Sequence, residues 1–172
     1  MSSEPRGRAA LLAALNDEFR RLSTATILFH QAVADRLGMH VTDHKCADIL
    51  LRTGPVTAGE LARRTGLSTG AITGVIDRLE KSGFVRRAED PADRRRVIVE
   101  PVVKRIGRVI GPLFGSMARA AGELCARYST EELAVIRDFT VRSREMAGEE
   151  TRKLREGAAG GKRLRKANST KT

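Results

Sequence analysis

The chain contains no tryptophan, one tyrosine and five phenylalanines among its 172 residues. A buried core must therefore be made mostly of Leu, Val, Ile and Ala, which favours helices packed on helices. Two cysteines, Cys46 and Cys125, are too few for a disulfide framework. No run of 18 apolar residues is present, so no membrane span is expected. Residues 1–8 lack the apolar stretch of a secretion signal. These absences predict a soluble, cytoplasmic protein. There is also no glycine-rich phosphate loop, no Ser-His-Asp order and no obvious pair of carboxylates, and the three histidines are scattered. The expectation is a protein that is not an enzyme, with no catalytic residues and no cofactor.

Positive charge is what the chain has in excess. Lys and Arg number 32 against 21 Asp and Glu, a formal net charge of +11. Such a surplus favours polyanionic partners, of which nucleic acid is the commonest. Part of it lies in residues 151–172, which are rich in Lys, Arg, Gly, Ser and Thr and show no apolar periodicity. This segment is predicted to be an unstructured basic tail. It serves either as a nonspecific DNA-affinity arm or as a solubilising end.

Apolar residues recur every three or four positions from Leu11 through Leu15, Phe19, Leu22, Phe29 and Val33 to Leu37. The spacing predicts one helix over 8–37, about 45 Å long at 1.5 Å per residue, with Gly38 at its C-terminal cap. A stripe this long needs a second long helix or a second chain to cover it. Thr42 is expected to cap a helix to about Arg52 that turns Cys46, Ile49 and Leu50 inward, and Gly54-Pro55 ends it. Thr57 and Glu60 stand at capping-box spacing before a short helix, 58–64, that stops at Gly66. Ser68 then caps a helix over 69–82 with Ile72, Val75, Ile76 and Leu79 on its buried face. Phe84 to Pro101 reads as a β-hairpin with a charged tip. Helical periodicity returns from Val103 to Tyr128, with a kink or late start at Gly107, Gly111 and Pro112. A capping box at Ser129–Glu132 opens a last helix.

Two short helices joined by Thr65-Gly66-Leu67 form a helix-turn-helix pattern, in which Leu61 and Ala62 pack inward and Leu67 plugs the gap. Ser68, Thr69, Gly70 and Thr73 open the second helix. All are small or hydroxylated, so backbone can approach DNA closely while hydroxyls bond to bases or phosphates. The hairpin carries Arg94, Arg95 and Arg96 just after its turn, where guanidinium groups reach phosphates or a narrow minor groove. Asp93 is read as a brace for a neighbouring arginine.

Gly-Glu-Leu-Ala at 59–62, Gly-Leu-Ser at 66–68, Asp-Arg-Leu-Glu at 77–80, Gly-Phe-Val-Arg-Arg at 83–87 and Asp-Pro-Ala-Asp-Arg-Arg at 90–95 occur in order. With them the chain resembles the MarR family of winged helix-turn-helix regulators over residues 8–150. The resemblance implies a mainly α fold with a small β-hairpin wing. A winged module at 41–101 would join a helical dimerisation region formed by 8–37 and 102–150. It implies a homodimeric, ligand-responsive repressor that binds double-stranded DNA at a pseudopalindromic operator. Helix 69–82 would enter the major groove and wing 84–101 the minor groove. Thr69, Thr73, Arg94 and Arg95 are the implied contacts, with Arg95 first for minor-groove insertion. A winged-helix protein-interaction module, or a nonspecific DNA-binding protein, is the competing reading. Pro101 to Gly107 departs from the family's usual Leu-Thr-x-x-Gly segment, which leaves the start of the next helix open.

The residues that would sense a signal are less legible. His40, Asp43, His44 and Cys46 lie close in sequence, but His40 precedes the helix, so the spacing does not place them on one face and no metal site is expected. Cys46 and Cys125 are read as buried structural thiols, and His30 as a neighbour of the first-helix stripe. A small-molecule pocket is expected between the first helix and helix 42–52.

Overall fold

The computed structural model describes residues 7–90 and 93–169, with side chains at all of these except 94, 95 and 158–169. It divides into two compact units, residues 1–117 and 118–172.

In the first unit, helix α1 (Arg8–Arg36) follows the predicted stripe to within a residue. Gly38 takes a positive φ of 62° just beyond it, a left-handed conformation that costs glycine little. Helix α2 (Val41–Thr53) begins a residue earlier than expected. His40 occupies its N-cap position and makes no side-chain capping bond, so Thr42 lies inside the first turn instead of capping it.

Helix α3 (Ala58–Thr65) is capped as the sequence predicts. The Glu60 amide donates to Thr57 Oγ1 at 3.1 Å. The reciprocal half of that box is missing: the Glu60 carboxylate accepts from Arg63 and Arg64. Their hydrogen bonds and charge, that of Arg63 first, hold it below the usual glutamate range. Gly66 then adopts φ 71° and ψ 17°, which turns the chain into helix α4 (Thr69–Lys81).

Strands β2 (Val85–Asp90) and β3 (Asp93–Pro101) form the hairpin. A two-residue strand that sequence periodicity does not reveal, β1 (Val56–Thr57), adds to the other edge of β3, giving the order β1-β3-β2, antiparallel throughout. Helix α5 (Val103–Val109) then ends at Ile110. Helix α6 (Gly111–Cys125) starts anew with Pro112 at its second position, where a missing backbone N–H costs nothing. The break is the one that Gly107, Gly111 and Pro112 predict.

The core of this unit lies beneath α2, α3, α4 and the sheet. Leu50, Leu61, Ile72, Ile76, Leu79 and Val99 are its largest apolar side chains out of solvent. Burying each contributes about 1.5–3 kcal/mol relative to exposure. The four inward positions predicted for α4 are its four buried residues. By contrast, most of the apolar stripe of α1 is exposed. Leu11, Leu12, Leu15, Phe19 and Leu22 are exposed, and only Val33 and Ala34 are buried.

In the second unit, helix α7 (Thr130–Ser169) opens with a complete capping box. The Ser129 amide donates to Glu132 at 2.8 Å and the Glu132 amide to Ser129 Oγ at 3.2 Å. The helix runs to Ser169, so the tail expected to lack structure is helical as far as that residue. Ion pairs one helical turn apart, Arg152 with Glu149 and Glu156 and Lys153 with Glu150, support a stretch that lacks an apolar stripe. Val135, Ile136, Phe139 and Met146 are exposed on this helix, and Cys125 is exposed as well, not buried as expected.

Candidate nucleic-acid interface

The first turn of α4 stands in solvent. Ser68, Thr69, Gly70, Ala71 and Thr73 are all exposed, while Ile72 between them is buried. Two of the three hydroxyls have a definite local role. Ser68 Oγ accepts the Ala71 amide at 3.2 Å and so caps the helix, leaving its own O–H free to donate outward. Thr73 Oγ1 donates to the Thr69 carbonyl at 2.9 Å, which leaves its oxygen lone pairs as acceptors. At Gly70 an added Cβ would meet nothing within 4 Å, so open space lies directly over the backbone there. Unpaired amides and the positive end of the helix dipole complete a surface suited to a phosphate and to base edges.

Side chains behind this turn fix the helix. Asp43 on α2 is buried, and Arg78 on α4 donates to it twice at 2.7 Å, from Nε and Nη2. That bond raises the affinity of Arg78 for its proton. At the same end of the helix, Arg87 of β2 bridges Asp77 and Glu80, and its backbone amide donates to Glu80 at 3.0 Å. The hairpin is thereby tied to the helix it flanks. Neither link is evident from sequence, because the partners of Arg78 and Arg87 lie 35, 10 and 7 positions away.

On the hairpin itself, Arg96 is exposed and faces Asp90 at 3.8 Å, and Arg86 pairs with Glu100 at 2.6 Å. The side chains of Arg94 and Arg95 lie outside the described residues, and with them the bracing role assigned to Asp93. Their backbone belongs to β3, in the same unit as α4.

Asp43 and His44, neighbours in the chain, have separate partners. Asp43 is taken by Arg78 and His44 by His30, and among the described residues no group of three His, Cys, Asp or Glu side chains could hold a metal ion. Burial pushes the Cys46 thiol up to about 11, the value of an inert core cysteine. A cavity of about 510 Å³ does lie where a pocket was expected, between α1 and α2. Thr26, Ile27, His30, Cys46, Ile49 and Leu67 line it, with Lys45 and Arg64 contributing the cationic lining. Among the described residues no helix is long and apolar enough to cross a membrane.

Comparison with known proteins agrees with this geometry. A sequence model described as the MarR family matches residues 41–97, from the start of α2 into the hairpin. An HTH-type transcriptional regulator of Bacillus subtilis, YcgE, is 46% identical over 138 residues, which cover 80% of this chain and 89% of the relative. A MarR family protein from Bacillus stearothermophilus superposes with a TM-score of 0.64 at 22% identity, covering 82% of this chain and 99% of that one. NadR, solved in complex with 4-hydroxyphenylacetate, superposes with a TM-score of 0.57 at 18% identity over 83% of this chain and 96% of its own. Helix-turn-helix, hairpin wing and sequence similarity over most of the chain agree, and the protein belongs to the MarR family of transcriptional regulators.

Proposed function

We propose that the protein is a homodimeric repressor that reads a pseudopalindromic operator. The exposed, small-residue first turn of α4, open over Gly70, carries this reading. Ser68, Thr69, Gly70 and Thr73 approach the major groove, and Arg94, Arg95 and Arg96 of the wing contact the minor groove and its phosphates. Residues 41–101 form the DNA-reading module. The segments 8–37 and 102–150 form the dimerisation region, whose exposed apolar side chains on α1 and α7 are buried by a second copy of the chain. Two recognition helices related by two-fold symmetry then meet half-sites about one helical turn apart.

The cavity between α1 and α2 takes a small-molecule effector that alters this spacing. Its apolar walls with Lys45 and Arg64 suit an apolar body carrying a negative charge.

Selection of binding sites from a random DNA pool tests the reading, repeated with Arg95→Ala at the same salt concentration. A two-fold symmetric motif is expected, with affinity lowered in the variant and a salt dependence shallower by about one ion. Absence of any enriched motif, with affinity unaffected by the substitution, would favour a protein-binding or nonspecific role.

A further inference from the structure

The imidazoles of His30 on α1 and His44 on α2 meet at 3.2 Å, Nδ1 to Nε2. His44 is 1% exposed, and its other nitrogen, Nδ1, is buried with no hydrogen-bond partner. Aromatic rings enclose the pair. The Phe114 centroid is 5.9 Å from that of His30 and 5.8 Å from that of His44, and Phe29 meets both His30 and Phe114 edge-on.

This contact suits a neutral pair, in which one facing nitrogen donates and the other accepts. A further proton creates an imidazolium against phenyl rings. If the charge resides on His44, its buried Nδ1–H has no acceptor. The surroundings offer little compensation. From α2, Lys45 and Arg52 disfavour the charge and Asp48 favours it, but Asp48 already accepts from Lys45 at 3.3 Å and from Arg52 at 2.9 Å. The residues around the α5–α6 junction that line the cavity of about 190 Å³ beside His44 are Ile106, Gly107, Ile110, Gly111 and Phe114, none of them titratable. Burial accordingly holds both imidazoles below their ordinary value, with Lys45 adding to the effect at His30 and the facing His30 at His44.

The pair is also well placed to matter for DNA. Residue 43, next to His44 in the chain, is the aspartate that grips Arg78 on the recognition helix. Consecutive residues of α2 thus hold α1 through one and α4 through the other.

We propose that the His30–His44 contact is a proton-operated latch between α1 and the DNA-reading helices, closed when both rings are neutral and opened by acid. The proposal rests on the dimeric operator-binding reading. Opening frees α1 from α2, loosens the spacing of the two recognition helices and lowers operator affinity. The sign is diagnostic. Added positive charge alone strengthens binding to DNA, so a loss on acidification requires a change in structure.

The test measures affinity of the full-length protein for its selected operator from pH 7.5 to 5.5 at fixed ionic strength, with and without EDTA. For the unmodified protein, affinity is expected to fall by at least about fivefold toward pH 5.5, a typical coupling magnitude. His30→Gln, at a half-buried position that tolerates an amide, and His44→Phe, which extends the aromatic cluster, should both retain site selection at pH 7.5 and flatten the response. His40→Gln, at the one remaining histidine, should leave it unchanged. Specific binding that does not weaken with acid, or a pH response that survives in both variants, would overturn the latch while leaving the operator reading intact. A response abolished by EDTA would overturn it in favour of a metal-held pair. Failure to select any operator at pH 7.5 would remove the regulator reading, and the latch with it.

Discussion

Asp43 and Arg78 form a two-pronged ion pair in which the carboxylate is buried and the guanidinium side chain is about half exposed. The two partners are therefore not equivalent when lost. Arg78→Ala strands a buried charge, a change that costs about 3–5 kcal/mol in comparable pairs. Asp43→Asn leaves an arginine that water can still reach, and should cost about 1–2 kcal/mol. Urea unfolding of the two variants at pH 7.5 checks the order, and equal losses would contradict it.

On the proposed reading, Gly70 separates folding from recognition. Open space over its backbone means that Gly70→Leu should leave stability unchanged or raise it by up to about 1 kcal/mol, since glycine is a poor helix residue. The same side chain would stand between α4 and the groove. Operator affinity should fall at least tenfold with no loss in melting temperature, as fluorescence anisotropy and thermal denaturation would show together.

Acid should destabilise the fold through the histidine pair as well as weaken DNA binding. Both imidazoles have folded-state values below the ordinary one, so the unfolded chain binds more protons as pH drops through 6.5. The stability contributed by the neutral pair is complete above that pH and is lost below it, down to the lowered folded values. The urea midpoint of the unmodified protein should drop more between pH 7.5 and 5.5 than that of His44→Phe. Parallel curves would refute this.

Cys46 should resist alkylation in the native state at pH 8 and react only on unfolding, because its thiol is both buried and raised to about 11. Mass mapping after brief iodoacetamide treatment distinguishes the two states. Native labelling at Cys46 would show that the core around α2 opens readily.

Much of this architecture is legible in the sequence because its signals are local. Thr57 and Ser68 cap the helices they precede, Gly66 takes the left-handed turn between them, and the spacing of Ile72, Val75, Ile76 and Leu79 marks the inward face of α4. The exposed turn at Ser68–Thr73 follows from the same periodicity. Contacts between elements leave no such trace. His30 and His44 are 14 positions apart on different helices, and Asp43 and Arg78 are 35 apart. Asp43 and His44 are adjacent in the chain. On the helix they face different neighbours. Strand β1 was missed because two residues are too few to display an alternation.

That short strand has a mechanical consequence. It meets β3 only at Val99 and Ile98, so at this level the middle strand is held on both edges. From Val97 outward the hairpin has two strands only, with Glu89 opposite Val97. The wing is thus a cantilever, bolted at its root and with no third strand along its arm among the described residues. Residues along the arm can be exchanged without disturbing the bolt, so the arm can diverge between relatives while the scaffold stays the same.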